Sequence, residues 1–212
     1  MIHYTINVFL LVLSMLPYSF AQTTEPKVIT SNNFVGLSTS FFSDAKVVNP
    51  IRQIDKLVNE EGLAKEQYVY ISWDSSFINV EKDGWPEDQF DYMYIFYRNA
   101  TGDILMVDEA PVSESEDLAF SYKYYFFPSG QAMAYTRLIE VYTSLCDENF
   151  GKERIMEYYD KDFHRVGWEY ELTDKDGKDV PLRENSCFFN YDSEDKVYPT
   201  LKELLQAIGY RR

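Results

Sequence analysis

Tyr124-Tyr125-Phe126-Phe127-Pro128-Ser129-Gly130 is a run of four aromatics that stops in a Pro/Gly turn, and its reading decides the fold. The pattern returns twice: Tyr94-Ile95-Phe96-Tyr97 precedes Asn99-Ala100-Thr101-Gly102-Asp103, and Tyr158-Tyr159 precedes Asp160-Lys161-Asp162. Aromatics pack well on a pleated surface, while Asn, Asp and Gly suit tight turns. The spacing predicts a series of β-hairpins, with strands at 91–98, 103–109, 117–127, 130–143, 152–159 and 164–173. The turns fall at 99–102, 128–130, 160–163 and 174–177, with longer acidic loops at 110–116 and 147–151. Tyr122, Tyr124 and Phe126 alternate with Ser121, Lys123 and Tyr125. One face should therefore pack, and the other should carry Tyr and charge.

Outward from the hairpins, two helices are expected. Asn49 is a suitable N-cap, Pro50 suits the first helical position, and Ile51, Ile54, Leu57 and Val58 share one face. Gly62 is the expected left-handed stop. Near the C-terminus, Thr200 and Glu203 have capping-box spacing, and Leu201, Leu204, Leu205 and Ile208 form a stripe before Gly209. Residues 68–73 and 77–80 are β-prone, and Asp83-Gly84-Trp85-Pro86 reads as a turn. The fold class is α+β: an antiparallel meander with two short amphipathic helices on one face.

Residues 8–16 are apolar, too few to span a bilayer, which takes about 20 residues, but suited to the core of a secretory signal. Ser19-Phe20-Ala21 carries small residues where a signal peptidase reads, so cleavage is expected after Ala21. Residues 22–212 then form one domain with a flexible lead-in at 22–33, exported to the periplasm or the extracellular space. No membrane insertion is expected after cleavage.

The formal net charge is −15, and residues 1–21 contain no Lys, Arg, Asp or Glu, so the imbalance belongs to the mature chain. Such a surface repels phosphates, which argues against nucleic acid as a partner. At 17% aromatic residues the chain has ample material for a core. Cys146 and Cys187 are the two cysteines, and an exported even pair reads as a disulfide. Closing that loop would contribute roughly 4 kcal/mol in the chain-entropy view.

The searches for chemistry are mostly negative. His164 is the single mature histidine, and no thiolate or imidazole spacing suits zinc. No Gly-x-Ser-x-Gly elbow and no Gly-rich phosphate loop is present. Asp174-Lys175-Asp176-Gly177 resembles a calcium loop, but Leu172 and Arg183 stand where an EF-hand needs acids. It reads instead as a turn. No cofactor is called for. Asn99-Ala100-Thr101 is a glycosylation sequon and equally a turn. Trp73, Trp85 and Trp168 are the candidate aromatic binding surface, set against the plainer reading of rings that stabilise the sheet. Paired carboxylates for glycoside chemistry cannot be chosen from 35 acids, so no catalytic residue is named.

Ala21-Gln22, Tyr124 to Gln131 and Glu157-Tyr158-Tyr159-Asp160 together resemble exported proteins of the Bacteroidetes group, in which hairpins of the form aromatic-aromatic-x-x-Gly-Lys repeat along a sheet. A looser resemblance is to MORN-variant hairpin repeats. The resemblance covers residues 90–180 and implies compartment and fold, with no catalytic residue to carry over. Gln131 stands in place of the usual Lys, and Asp160 to Phe163 lacks the Gly. Three readings of function stand: an exported non-enzymatic scaffold or interaction module for a protein or glycan, a lipocalin-like binder with the meander closed as a barrel, and a polysaccharide-acting enzyme using paired acids.

Overall fold

The computed structural model describes residues 27–29, 39–42, 45–86, 89–112, 118–141, 151–179 and 195–210. The leader through Ala21, Cys146 and Cys187 lie outside them. The six strands of the hairpin series form where the aromatic pattern places them: β5 (Tyr92–Arg98), β6 (Ile104–Pro111), β7 (Leu118–Phe126), β8 (Ala132–Val141), β9 (Lys152–Tyr159) and β10 (Arg165–Thr173). Each is antiparallel to the next. The hairpin of β3 (Ala64–Ile71) and β4 (Ser76–Asn79) extends the sheet on one side, and β2 (Thr39–Phe42) extends it on the other. The order is β2-β10-β9-β8-β7-β6-β5-β3-β4. This is an open sheet with edges at β2 and β4, so the meander does not close as a barrel among the described residues. Within the stretch read as a lead-in, β1 (Lys27–Ile29) pairs with β11 (Asp195–Val197).

Four of the turns share one design. The first residue donates its N–H to the carbonyl of the fifth, and the fourth donates back to the first, at 99–103, 127–131, 160–164 and, past β10, 174–178. The fourth position has φ of 91° at Gly102, 84° at Gly130 and 77° at Gly177. At 160–164 it is Phe163, with φ 61°, whose ring stacks on Tyr159 at 4.6 Å. Glycine visits this region without a Cβ clash; Phe163 gains the ring contact instead. In three of the turns, Asn99, Asp160 or Asp174 caps the loop by accepting two backbone N–H groups on its Oδ1.

Both faces of the meander carry a buried cluster, which corrects two expectations, that one face alone packs and that both helices lie on it. Tyr124 and Phe126 belong to one buried cluster and Tyr125, between them, to another. Successive residues of a strand point to opposite faces, so each cluster needs its own cover. Helix α1 (Ala45–Asn59) covers Met106, Tyr125, Met133, Met156 and Tyr158 with Val48, Ile51 and Ile54. Helix α3 (Leu201–Ala207) places Leu204 against the cluster of Phe96, Tyr124, Phe126 and Tyr135. The two helices thus take opposite faces, not one. Tyr210, just past α3, lies edge-on to Tyr68, Phe77 and Phe96 at 5.0–5.6 Å.

Helix ends account for the remaining differences. α1 begins at Ala45, five residues before Pro50, so Asn49 is an exposed interior residue and not the cap. Pro50 forgoes one bond near the start of the helix. At its end Glu61, with φ 54°, is the left-handed residue, and Gly62 follows it by donating to the carbonyl of Leu57 at 2.7 Å. That is a Schellman closure displaced by one residue from the expected Gly stop. α3 behaves as expected: Thr200 Oγ1 accepts from the Glu203 N–H, and Gly209 is left-handed at φ 78°. A short α2 (Val80–Asp83), capped by Asn79, takes Val80 from the β-prone stretch 77–80 and Asp83 from the expected turn. Asn79 Oδ1 accepts from the N–H groups of Glu81 and Lys82.

Gly151 opens β9 with no room for a side chain. A Cβ there would sit 2.5 Å from the carbonyl carbon of Asp174 and 2.6 Å from the Lys175 nitrogen. Gly151→Ala should therefore cost about 1–3 kcal/mol of unfolding free energy, the range for forcing atoms into filled space. Urea denaturation of the variant measures this, and an unchanged midpoint would refute the close approach.

Candidate functional site

Polar groups gather at three places: the sheet face beneath α3, the cavity beneath α1, and the corner where β3, β5 and β6 meet. On the α3 face the strands bring carboxylates and tyrosines into register. Tyr94 pairs with Glu109, Glu109 with Tyr122, and Tyr122 with Arg137 across four neighbouring strands. Glu109 accepts from the hydroxyls of Tyr94, at 3.5 Å, and Tyr124. Burial pushes its carboxyl up to about 7, against those two hydrogen bonds, which pull it down.

The other acids on this face have cationic partners. Arg137, 2% exposed, places Nη2 3.5 Å from Glu153. Burial raises Glu153, while Arg137 and a bond from Tyr170 oppose the rise. Glu157 takes Arg165 and the hydroxyl of Tyr159. Each carboxylate is bound into its own set of partners, which suits a structural network better than an acid pair flanking a substrate.

Beneath α1 is a cavity of about 300 Å³ lined by Asp55, Val58, Asn59, Met106, Lys123, Tyr125, Thr136, Leu138, Lys152, Arg154 and Met156. Asp55 reaches down from the helix to accept from the Tyr125 hydroxyl at 2.8 Å. Arg154 is held by Glu171 at 2.9 Å and Glu169 at 3.0 Å. No sequence signal could have found this site, because register alone places Lys123 beside Thr136.

The candidate tryptophans separate. Trp73 and Trp85 are 72% and 57% exposed, and the contacts of Ser72 and of Trp85 lead to the Phe90–Asp91 segment. The Ser72 N–H donates to Asp91 Oδ2 at 2.7 Å, placing the turn that carries Trp73; Trp85 packs on Phe90 at 5.8 Å. Exposed Val112 joins them, since its N–H donates to the Asp91 carbonyl at 2.8 Å. Trp168 is on β10, paired across to Glu157 and Phe41, and packs half-buried against the cluster under α3. It is not part of an exposed surface with the other two.

In three of the turns polar side chains cap the loop itself. In the sequon, Asn99 accepts on Oδ1 from the Thr101 and Asp103 N–H groups and donates from Nδ2 to Asp103 at 3.0 Å, which is the turn reading made concrete. Asp160, Asp162 and His164 bring ligand atoms within 4.8 Å of one another, but Asp160 caps its turn as Asp174 does. The Asp174 loop is likewise a hairpin turn. No described helix is long and apolar enough to cross a membrane.

Comparison with known proteins adds no function: the chain matches no family model, no curated protein and no solved structure.

The Glu109 carboxyl makes stability depend on pH. Its folded value lies above the ordinary 4.5, so the folded chain holds the proton longer than the unfolded one. The contribution is full below 4.5 and is lost as pH rises towards 7. Glu109→Gln cannot ionise and should flatten that fall, by about 3 kcal/mol at most between pH 4 and pH 8. Parallel stability–pH profiles for the two proteins would overturn the assignment.

Proposed function

We propose that the chain is exported after cleavage behind Ala21 and acts as a non-enzymatic glycan-binding scaffold. The supporting observation is the corner at Asp91, where Trp73 and Trp85 stand exposed while the sheet's buried carboxylates are engaged with partners. Flat indole rings beside acceptor carboxylates suit sugar rings, whose C–H faces stack and whose hydroxyls donate. Asp74 and Asp91 supply such acceptors; each takes one backbone N–H and keeps further lone pairs.

A glycan fits this corner better than a protein. The exposed large hydrophobics among the described residues are Leu57, Trp73, Trp85 and Val112, and Leu57 is on α1. Three residues give far less apolar area than a stable protein interface, which buries about 1,200–2,000 Å². The remaining surface of a chain at −15 charge also disfavours anionic partners.

A glycan array probed with the mature protein tests this reading, followed by titration of tryptophan fluorescence with any hit. Trp73→Ala and Trp85→Ala should each weaken binding about three- to tenfold, the scale of an aromatic contact. The half-buried Trp168, changed to Phe, should leave affinity unchanged. Retained affinity in the Trp73→Ala, Trp85→Ala double variant sinks the proposal, as does an empty array.

Export carries its own check. Cys146 and Cys187 would be joined in an oxidising compartment. Unfolded, unreduced mature protein should then show no free thiol, and detection of two would refute the bond.

A further inference from the structure

We propose that the cavity between α1 and the sheet binds a small carboxylate carried on a compact apolar body. The cavity of about 300 Å³ is at the lower end of small-molecule pockets. Its lining divides by chemistry: Val58, Met106, Leu138 and Met156 are apolar, whereas Lys123, Thr136, Lys152 and Arg154 are hydrogen-bond donors.

Two donors are uncommitted. Thr136 is buried, and its hydroxyl has no hydrogen-bond partner among the described residues. An orphaned buried hydroxyl is costly unless something fills the site. Lys123 is directly across from Thr136 in the β7–β8 ladder, on the same face. It is in no ion pair among the described residues, while Arg154 is held by Glu169 and Glu171 and Lys152 by Glu140 at 3.6 Å. An ammonium and a hydroxyl side by side suit the two oxygens of one carboxylate.

Charge narrows the ligand to a single negative group. Asp55 lines the same cavity, and Asp108, paired across from Lys123, partly offsets its charge. A phosphate dianion would meet those acids with its second charge. A monocarboxylate leaves its apolar part to Met106, Met156, Val58 and Leu138.

Isothermal titration calorimetry of the mature protein with benzoate and with hexanoate tests the site, with inorganic phosphate as the contrasting anion. Saturable binding of either carboxylate, with phosphate weaker, is expected. Thr136→Val keeps the side-chain shape and should weaken binding about tenfold, the scale of one charge-assisted hydrogen bond. Lys123→Met should weaken it at least as much. Should Lys123→Met fail to fold, Thr136→Val still decides the matter. Binding that survives Thr136→Val overturns the proposal. So does absence of saturable heat from both carboxylates, and a lowered melting temperature in Thr136→Val without carboxylate binding assigns the hydroxyl to a water instead. Neither Trp73, Trp85 nor Asp91 lines this cavity, so Trp73→Ala should leave benzoate affinity unchanged.

Discussion

A tyrosine buried in a sheet carries a hydroxyl into a place that water does not reach, and the rest of this structure depends on how those hydroxyls are met. Here the acceptors are carboxylates. Tyr94 and Tyr124 donate to Glu109, Tyr159 to Glu157, Tyr170 to Glu153, Tyr158 to Glu169 and Tyr125 to Asp55. A hydrogen bond to a charged group contributes about 1.5–3 kcal/mol, whereas an unmet polar group costs a comparable amount. The acidity of the chain is therefore partly internal. A share of its 35 acids holds tyrosines in place.

That constraint also explains why the meander needs cover on both faces. Consecutive aromatics such as Tyr124-Tyr125-Phe126 cannot place all their rings on one side of a strand. The ring between must enter a second core, and α1 supplies it, with Asp55 delivered to the Tyr125 hydroxyl. α3 closes the opposite face, tied to the sheet through the Leu201 N–H on the Gly130 carbonyl and the Ala132 N–H on the Pro199 carbonyl. The β7–β8 turn thus serves as a mount for the helix as well as a link between strands.

The hairpins were legible because strand and turn chemistry is local. Asx residues followed by Gly mark where the chain reverses, and even the Gly-free turn at Asp160 keeps its Asx cap. The helix faces were not legible, because alternation shows that two sets of residues exist without showing what covers each. Tyr125 read as a residue on the charged side, and it is buried by a helix 70 positions away. The start of α1 was missed for a related reason. Pro50 fits best in the first turn of a helix and so pointed to a start at Asn49, whereas α1 carries it in its second turn at the cost of one bond. The Glu109 and Thr136 sites depend on register across several strands, which single-residue patterns do not encode.

A sheet covered on both faces restricts where recognition can occur. The central strands are paired on both edges and roofed by α1 and α3, and three of the turns use their polar side chains to cap themselves. What remains is the periphery, where cover stops, and any gap beneath a cover. The tryptophan corner is of the first kind: β4 is short and ends the sheet, so the turn holding Trp73 has no further strand to pack against. The Thr136 cavity is of the second kind. α1 presents Val58 and Asn59 there at its final turn, and the helix ends at Asn59 before it can fill the space over Lys123 and Leu138. Asp55 and Asn59 give that roof its polar side, and the helix closes just beyond them at Glu61–Gly62.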